Sequence, residues 1–268
     1  MTSFSNLRLY DVHCHLQDSR LQADLPNILV DLKAVGVQRI VVNGTRESDW
    51  PQVLQLAATD CRIIPSIGLH PWYVKERSSV WPAKLQACLN SGTCAVGEIG
   101  LDHWIEGFDS VTQEEVFVQQ LDLASTINRP VSIHCLKAWG RLLEILKAEK
   151  RPEVGFLLHS YGGPAEMVRS FADLGGYFSM SGYFAHPRKA RQREVFRRVP
   201  GDRLLFETDA PDMALPVEIQ EFRSSRDTNH PANIRAVYKF ATELLNKPLE
   251  RLATEVEANF LRLFAPCL

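Results

Sequence analysis

Four histidines and two carboxylates stand at the ends of short apolar runs in this sequence: His13, His15, Glu98, His134, His159 and Asp209. Residues two apart on a β-strand point to the same face, so His13 and His15 can coordinate one ion together. Glu98 and Asp209 each follow an apolar run, and burying a carboxylate without a partner is costly. A metal ion would neutralise both carboxylates. The pattern therefore predicts a metal site.

Four imidazoles and two carboxylates are enough ligands for two divalent ions. We expect Glu98 to bridge the ions, His13, His15 and Asp209 to complete one site, and His134 with His159 to form the other. Two such ions lower the pKa of a shared water. Asp209 is placed to accept the proton of that water, which makes Asp209 and Glu98 the predicted catalytic residues. Mixed nitrogen and oxygen ligands suit Zn²⁺, Mn²⁺, Fe²⁺ or Ni²⁺, and Mg²⁺ less naturally.

The elements that position these residues are eight short apolar runs, each followed by an amphipathic stretch. The runs are Leu7–His15, Arg39–Thr45, Ile63–His70, Ala95–Asp102, Pro130–Cys135, Gly155–Tyr161, Tyr177–Gly182 and Arg203–Pro211. Stretches with helical spacing include Asp24–Ala34, Gln113–Ile127, Trp139–Lys150, Ala232–Leu245 and a final helix at Leu249–Phe264. Strict alternation of strands and helices indicates a parallel α/β fold.

We predict one (β/α)8 TIM barrel domain over residues 1–268, a length that is ordinary for this fold. The alternative is an open doubly wound sheet, which usually carries a Gly-rich phosphate loop after its first strand. Here that place holds His13-Cys14-His15. In a (β/α)8 barrel the active site lies at the carboxyl ends of the strands, where the six predicted ligands are.

Composition limits the classes of function. The net charge of -2 excludes a protein that coats nucleic acid through an overall basic surface. Contact with DNA therefore needs a local basic patch. The six cysteines form no CxxC pair, which favours free thiols in a reducing compartment. No segment reaches the roughly 18 apolar residues of a membrane span. We expect a cytoplasmic protein with no membrane contact and no obligate protein partner.

One local patch is conspicuous after the seventh run. It consists of Arg188, Lys189, Arg191, Arg193, Arg197 and Arg198, which we place on one predicted helix. Such a helix could contact a DNA backbone through counterion release. It could equally be a solvated helix face, which is what most charge runs are.

The chain resembles the TatD-type metal-dependent deoxyribonucleases, a branch of the amidohydrolase superfamily. The motifs that carry the resemblance are Asp11-Val12-His13-Cys14-His15, Gly68-Leu69-His70-Pro71, Val96-Gly97-Glu98-Ile99-Gly100-Leu101-Asp102, Ile133-His134, Leu158-His159 and Glu207-Thr208-Asp209-Ala210-Pro211. The resemblance implies the barrel fold, one to three divalent ions, phosphodiester hydrolysis and the six metal ligands named above. His70 also matches a site position, and we interpret it as a substrate-phosphate contact or as a cap beside Pro71.

Two cations that are common in the family are replaced here. His103-Trp104-Ile105 stands where two aromatics and an Arg are frequent, and Leu136 stands where an Arg often follows the fifth-strand histidine. Arg is the side chain best suited to bidentate phosphate recognition. Three functions therefore remain: a nuclease acting on DNA, a hydrolase of a small ester, amide or phosphoester, and a non-catalytic binding barrel. The intact ligand set argues against the third.

Overall fold

A computed structural model describes residues 7–90, 92–224 and 228–268 of the chain, so residues 1–6, 91 and 225–227 of the predicted domain lie outside the description. Within these ranges eight parallel strands pair in sequence order. The strands are β1 (Leu9–Cys14), β2 (Val37–Asn43), β3 (Ile63–Ile67), β4 (Ala95–Asp102), β5 (Val131–Leu136), β6 (Phe156–Leu158), β7 (Gly176–Ser181) and β8 (Leu204–Glu207). The predicted (β/α)8 barrel is confirmed.

Helices cover the outside of the sheet. They are α1 (Ser19–Gln22), α2 (Leu25–Ala34), α3 (Trp50–Thr59), α4 (Trp81–Asn90), α5 (Ser110–Thr126), α6 (Trp139–Ala148), α7 (Val168–Asp173), α8 (Ile234–Leu245) and α9 (Leu249–Leu263). Each longer helix buries residues at three- and four-residue spacing, as α9 does with Leu252, Val256, Phe260 and Leu263. None of the helices in the described part of the chain is long and apolar enough to cross a membrane.

The barrel closes between its first and last strands. The backbone N–H of Asp209 donates to the His13 carbonyl at 2.9 Å, and that of His15 donates to the Ala210 carbonyl at 2.8 Å. The buried Asp11 carboxylate accepts from the Thr208 hydroxyl at 2.5 Å and from the Thr208 N–H at 3.0 Å. This seam joins the segment that carries His13 and His15 to the segment that carries Asp209.

The predicted helix after the seventh strand is wrong. The chain forms short 3-10 turns there, at Gly182–Ala185, Pro187–Lys189 and Arg193–Arg197. Lys189, Arg193 and Arg197 are four residues apart, and like charges at that spacing destabilise an α-helix. The basic residues therefore lie on a loop surface, and the strict alternation of strands and helices fails at this point.

Several predicted strands also end earlier than expected. β3 stops at Ile67, β6 at Leu158 and β8 at Glu207, so that His70, His159 and Asp209 lie in the loops just beyond. Ser160 and Asp209 have positive φ angles, 41° and 53°, which extended strand geometry does not accommodate.

β-Bulges interrupt the pairing of two strands that carry predicted ligands. The register between β4 and β5 shifts between Val96 and Ile99, and that between β1 and β2 shifts between Asp11 and Cys14. A bulge inserts an extra residue and re-aims the neighbouring side chains, and bulges are common next to active sites. Here the shifted segments contain Glu98 and His13.

Gly100 permits the close approach of β4 to β5. It pairs with His134, has a φ of 145°, and an added Cβ would lie 2.0 Å from the His134 carbonyl oxygen. We expect Gly100→Ala to lower the free energy of unfolding by about 3–5 kcal/mol, because the rigid backbone of β5 cannot move away. Chemical denaturation measures this loss.

Gly140→Ala is the matched control for Gly100→Ala. Gly140 lies in α6, and a Cβ there would meet nothing within 4 Å. We expect no loss, and a gain of up to about 1 kcal/mol, from the higher helix propensity of Ala. Equal stability of the Gly100 variant and the unmodified protein would contradict the assigned approach of β4 to β5.

Candidate metal centre

The six predicted ligands come together at the carboxyl ends of the strands. Their described donor atoms form overlapping groups, His13–His15–Asp209, His70–Glu98–His134 and His13–His159–Glu207, each with its atoms within 4.8 Å of one another. His13 is fully buried, and Glu98, His134, His159 and Asp209 are at most 9% exposed. The structure thus gathers the six predicted ligands, places His70, the predicted substrate contact, among them, and adds Glu207.

Glu98 stands between two sets of histidines. Its Oε2 lies 3.3 Å from His13 Nε2 and 3.6 Å from His15 Nε2. Its Oε1 lies 3.0 Å from His134 Nδ1 and 2.8 Å from His159 Nε2. Each carboxylate oxygen therefore faces a different pair of histidines, with His70 Nε2 also 3.3 Å from Oε1, and this is the geometry expected of a bridging ligand.

Asp209 joins the first of these sets. Its Oδ1 lies 3.7 Å from His13 Nε2 and 3.4 Å from His15 Nε2. Asp209 has a positive φ and belongs to the seam between β8 and β1, where its backbone N–H donates to the His13 carbonyl.

Hydrogen bonds fix which nitrogen of His13 and His15 faces the centre. His15 Nδ1 lies 2.7 Å from the Asn43 carbonyl, which can only accept, so Nδ1 carries the proton. His13 Nδ1 lies 2.9 Å from the Ser132 hydroxyl. Both Nε2 atoms are left to point at Glu98 and Asp209. Second partners of this kind orient metal-ligating histidines in proteins generally.

The donor set fits a divalent ion. Among the described residues, His13 Nε2 is buried with no hydrogen-bond partner, although it faces two carboxylate oxygens. An imidazole lone pair beside two carboxylates is satisfied by a cation. Imidazole nitrogen with carboxylate oxygen is a ligand set typical of Zn²⁺, Mn²⁺, Fe²⁺ and Ni²⁺.

His70 differs from the other histidines in its protonation. Its Nδ1 accepts the backbone N–H of Trp72 at 3.1 Å, so a neutral ring carries its proton on Nε2, which lies 3.3 Å from Glu98 Oε1. Burial outweighs the opposing effect of Glu98 and, together with a smaller effect of His134, lowers the pKa of His70 to about 4. His70 is thus a neutral hydrogen-bond donor that caps the turn Pro71–Glu76, and its Nε2 also faces the centre. Its contact with a substrate phosphate stays a prediction.

The charges of the centre stabilise one another. Burial alone would raise the pKa of Glu98, but His70, His159 and His13 hold it well below its usual value. Burial would lower the pKa of His159, yet Glu98 and Glu207 raise it well above its usual value. The metal-free centre therefore holds carboxylates as anions, with protons on part of its histidines.

His15 gives the metal-free protein a pH dependence. Burial lowers its pKa, but Asp209 and Glu98 outweigh this effect and raise it to about 9. A histidine pKa raised on folding stabilises the protein fully below about pH 6.5, and the contribution is lost as pH rises through about 9. We expect chelator-treated protein to lose on the order of 2–3 kcal/mol of stability across this window. Thermal unfolding at pH 6.5 and pH 9 measures the loss.

The His15→Gln variant is the control for this dependence, because it removes the titrating group and keeps a polar side chain. Its stability should change less over the same pH window. A melting temperature of the unmodified metal-free protein that stays constant from pH 6.5 to pH 9 would contradict the assigned interaction between His15 and the carboxylates.

Sequence reasoning gave no role to two carboxylates that the structure places against the ligands. Glu207 Oε1 lies 3.6 Å from His159 Nδ1, and Ser179 donates to Glu207 Oε2 at 2.5 Å. Asp102 Oδ2 lies 3.0 Å from His134 Nε2. The strand period contains one of the missed signals, since Glu98 and Asp102 lie four residues apart on β4. Glu207 ends β8 and Asp209 lies in the loop beyond it, so the strand period does not relate these two residues.

The aromatic residues near the mouth differ in exposure. Trp72 is 47% and Trp104 65% exposed, on neighbouring loops after β3 and β4. Tyr161 is fully buried and packs against Trp139 and Phe178, so it is part of the core.

Comparison with known proteins agrees with this geometry. The family model described as TatD related DNase matches residues 10–265. The metal-dependent hydrolase YabD of Bacillus subtilis is 32% identical over 260 residues, which cover 96% of this chain and 98% of YabD. The 3'-5' ssDNA/RNA exonuclease TatD of Klebsiella pneumoniae is 28% identical, with coverage of 96% and 97%. The crystal structure of the TatD homologue YjjV from Escherichia coli superposes with a TM-score of 0.88 at 29% identity and covers 96% of this chain and 98% of YjjV. The chain therefore belongs to the TatD family of metal-dependent hydrolases.

Proposed function

We propose that this protein is a nuclease that hydrolyses phosphodiester bonds of DNA with two divalent ions held by His13, His15, Glu98, His134, His159 and Asp209. The observation that carries the proposal is the position of Glu98, whose two oxygens each face a separate pair of histidines at 2.8–3.6 Å. A carboxylate in that position neutralises and spaces two cations, which is the arrangement of two-metal phosphodiester hydrolysis.

Asp209 and His70 have separate roles in the proposed hydrolysis. Divalent ions bound at these residues would polarise the phosphoryl group and would lower the pKa of the attacking water. Asp209 accepts the proton of that water and returns it to the leaving oxygen. His70, whose Nε2 carries a proton, donates a hydrogen bond to a phosphoryl oxygen, and burial keeps this ring neutral near pH 7.

Two features support a nucleic acid as the substrate. The family model is described as a DNase, and the Klebsiella relative is named for single-stranded DNA and RNA. The exposed side chains of Trp72 and Trp104 lie on the loops after β3 and β4, and exposed aromatic rings can stack unpaired bases. We therefore expect single strands to be cleaved faster than duplexes.

A basic loop lies after β7, on the same end of the barrel. Arg188 donates to the Tyr183 hydroxyl at 3.0 Å, and Lys189 Nζ lies 4.9 Å from the centroid of the same ring. Arg197 is instead paired with Glu194 at 2.8 Å. We propose that Arg188 and Lys189 supply the phosphate contacts that the replaced family arginines do not.

The first test is nucleotide release from end-labelled single-stranded and duplex DNA with added Mn²⁺, Mg²⁺ or Zn²⁺. We expect release with at least one of these ions, and none with EDTA. No release from protein shown by elemental analysis to hold metal would overturn the nuclease proposal. A protein that binds no metal would instead support a non-catalytic barrel.

The second candidate is a hydrolase of a small ester, amide or phosphoester, which the uncharged Leu136 in the position of a family arginine favours. A small phosphodiester such as bis(p-nitrophenyl) phosphate separates the two candidates. Turnover of this substrate without any release from DNA would favour the second candidate.

The pair of substitutions Arg188→Gln and Lys189→Gln tests the basic loop. Removing two phosphate contacts should raise KM for DNA and reduce the salt dependence of binding by a slope of about 2, with no change for the small phosphodiester. The control changes two exposed cations of the outer helices, Lys147→Gln in α6 and Arg251→Gln in α9. Equal salt slopes for both pairs would remove the loop from the DNA contact.

A further inference from the structure

Asp102 and Trp72 meet behind His134, on the side away from Glu98. Asp102 is fully buried at the end of β4, and His134 Nε2 lies 3.0 Å from its Oδ2. The indole N–H of Trp72 donates to the same oxygen at 2.7 Å. An indole nitrogen can only donate, so Oδ2 is an acceptor, and His134 Nε2 is the donor in the second bond.

The other carboxylate oxygen of Asp102 accepts backbone hydrogen bonds. Oδ1 accepts the backbone N–H groups of Trp104 at 2.7 Å and Ile105 at 3.0 Å. Gln113 of α5 holds the backbone of Asp102 from both sides, accepting its N–H at 2.9 Å and donating to its carbonyl at 3.1 Å. The carboxylate is therefore fixed in orientation before any ion binds.

We infer that Asp102 is the positioning residue that sets the tautomer of His134, with the Trp72 indole as its anchor, so that His134 presents Nδ1 to the second metal ion. This inference rests on the proposed function, because it concerns the ion held by His134, His159 and Glu98. His134 Nδ1 lies 3.0 Å from Glu98 Oε1 and 3.2 Å from His159 Nε2. The lone pair of Nδ1 is therefore close to the other atoms that would bind the second ion.

Trp72 contacts both His70 and the carboxylate of Asp102, which in turn contacts His134. Its backbone N–H fixes His70 with the proton on Nε2, and its indole N–H fixes Asp102, which fixes His134. The half-exposed indole lies edge-on to the His70 ring, with centroids 5.0 Å apart. The same tryptophan thereby makes His70 a donor and helps to make His134 a ligand.

The decisive variant is Asp102→Asn. An amide can keep its oxygen towards Trp104 and Ile105, so the loop stays capped, but its NH₂ group then faces the N–H groups of His134 and Trp72. His134 relieves the clash by moving its proton to Nδ1, which removes the ligand. We expect affinity for one ion to fall by about 10- to 100-fold, while the ion at His13, His15 and Asp209 binds as before.

Two measurements follow the change. Titration of metal-free protein with Zn²⁺ against a competing chelator gives the two affinities separately. Nitrogen-15 spectra of the histidine rings, recorded with Zn²⁺ bound, show whether the proton of His134 is on Nε2 or on Nδ1. A purely structural role of Asp102 would lower the melting temperature without changing either readout selectively.

Trp72→Phe keeps an aromatic ring and the backbone N–H, and removes only the indole donor. It should weaken the second ion by about 2- to 10-fold, the value of one hydrogen bond. Trp104→Phe is the matched control, because the backbone N–H that it gives to Asp102 is unchanged. We expect no change in either affinity for this variant.

The outcomes separate the inference from the proposed function. Two ions bound with unchanged affinities in both Asp102→Asn and Trp72→Phe would overturn the inference and leave the two-ion centre standing. Binding of fewer than two ions by the unmodified protein would overturn the proposed centre itself. If Asp102→Asn does not fold, Trp72→Phe compared with Trp104→Phe decides the question alone.

Discussion

Asp209→Asn should reduce hydrolysis by about 1,000-fold or more while leaving the fold intact. The carboxylate lies 3.4–3.7 Å from the Nε2 atoms of His13 and His15 and is the group placed to take a proton from the attacking water. Asparagine is nearly isosteric, but its amide is neutral and cannot accept that proton. Turnover under saturating metal and substrate measures the effect.

The backbone conformation of residue 209 accommodates asparagine. Asp209 has a φ of 53°, in the left-handed region that asparagine tolerates better than most residues. We therefore expect a melting temperature within about 3 °C of the unmodified protein, which corresponds to roughly 1 kcal/mol.

The control for Asp209→Asn is Asp212→Asn, three residues along the same loop. Asp212 is exposed and pairs with Arg20 at 2.8 Å on the surface. Activity should be unchanged, since exposed ion pairs contribute little. An Asp209 variant that keeps a tenth or more of the activity would remove the carboxylate from proton transfer.

The Glu98→Gln substitution should weaken binding of both ions, by about 100-fold or more each. Glutamine keeps one carbonyl oxygen and replaces the other by an NH₂ group, which donates and does not ligate. Both oxygens of Glu98 face histidine pairs, so either orientation of the amide deprives one pair of its oxygen. The loss of negative charge weakens the other.

Metal content after dialysis against a fixed concentration of free Zn²⁺ tests this expectation. The informative comparison is with Asp209→Asn, because the Asp209 carboxylate faces the pair His13 and His15. We expect that variant to lose no more than one ion. A Glu98 variant that loses a single ion would show that Glu98 belongs to one site and does not bridge.

The fold could be predicted because its signals are local. A run such as Ala95–Asp102, followed by the amphipathic stretch that became α5, indicates a strand and a helix from composition and period alone. The basic loop after β7 departs from the predicted helix for a local reason as well, since Lys189, Arg193 and Arg197 would repel one another at four-residue spacing on an α-helix.

Residue types and the end-of-strand positions also determined the membership of the candidate centre. His13, His15, Glu98, His134, His159 and Asp209 were named from the sequence, and the structure brings them together. The strand period further indicated Asp102, which lies four residues after Glu98 on β4, although it gave no reason to assign a role to this carboxylate.

Only the tertiary structure decided the orientation of each ring. Whether His134 offers Nδ1 or Nε2, and whether His70 donates or ligates, depends on Asp102 and on the backbone N–H of Trp72. Asp102 and His134 are far apart in the chain, and their contact forms only where β4 pairs with β5. Sequence period fixes the face on which a side chain lies. The partner on a neighbouring strand or loop fixes the atom that the side chain presents, because hydrogen bonds act over about 3 Å.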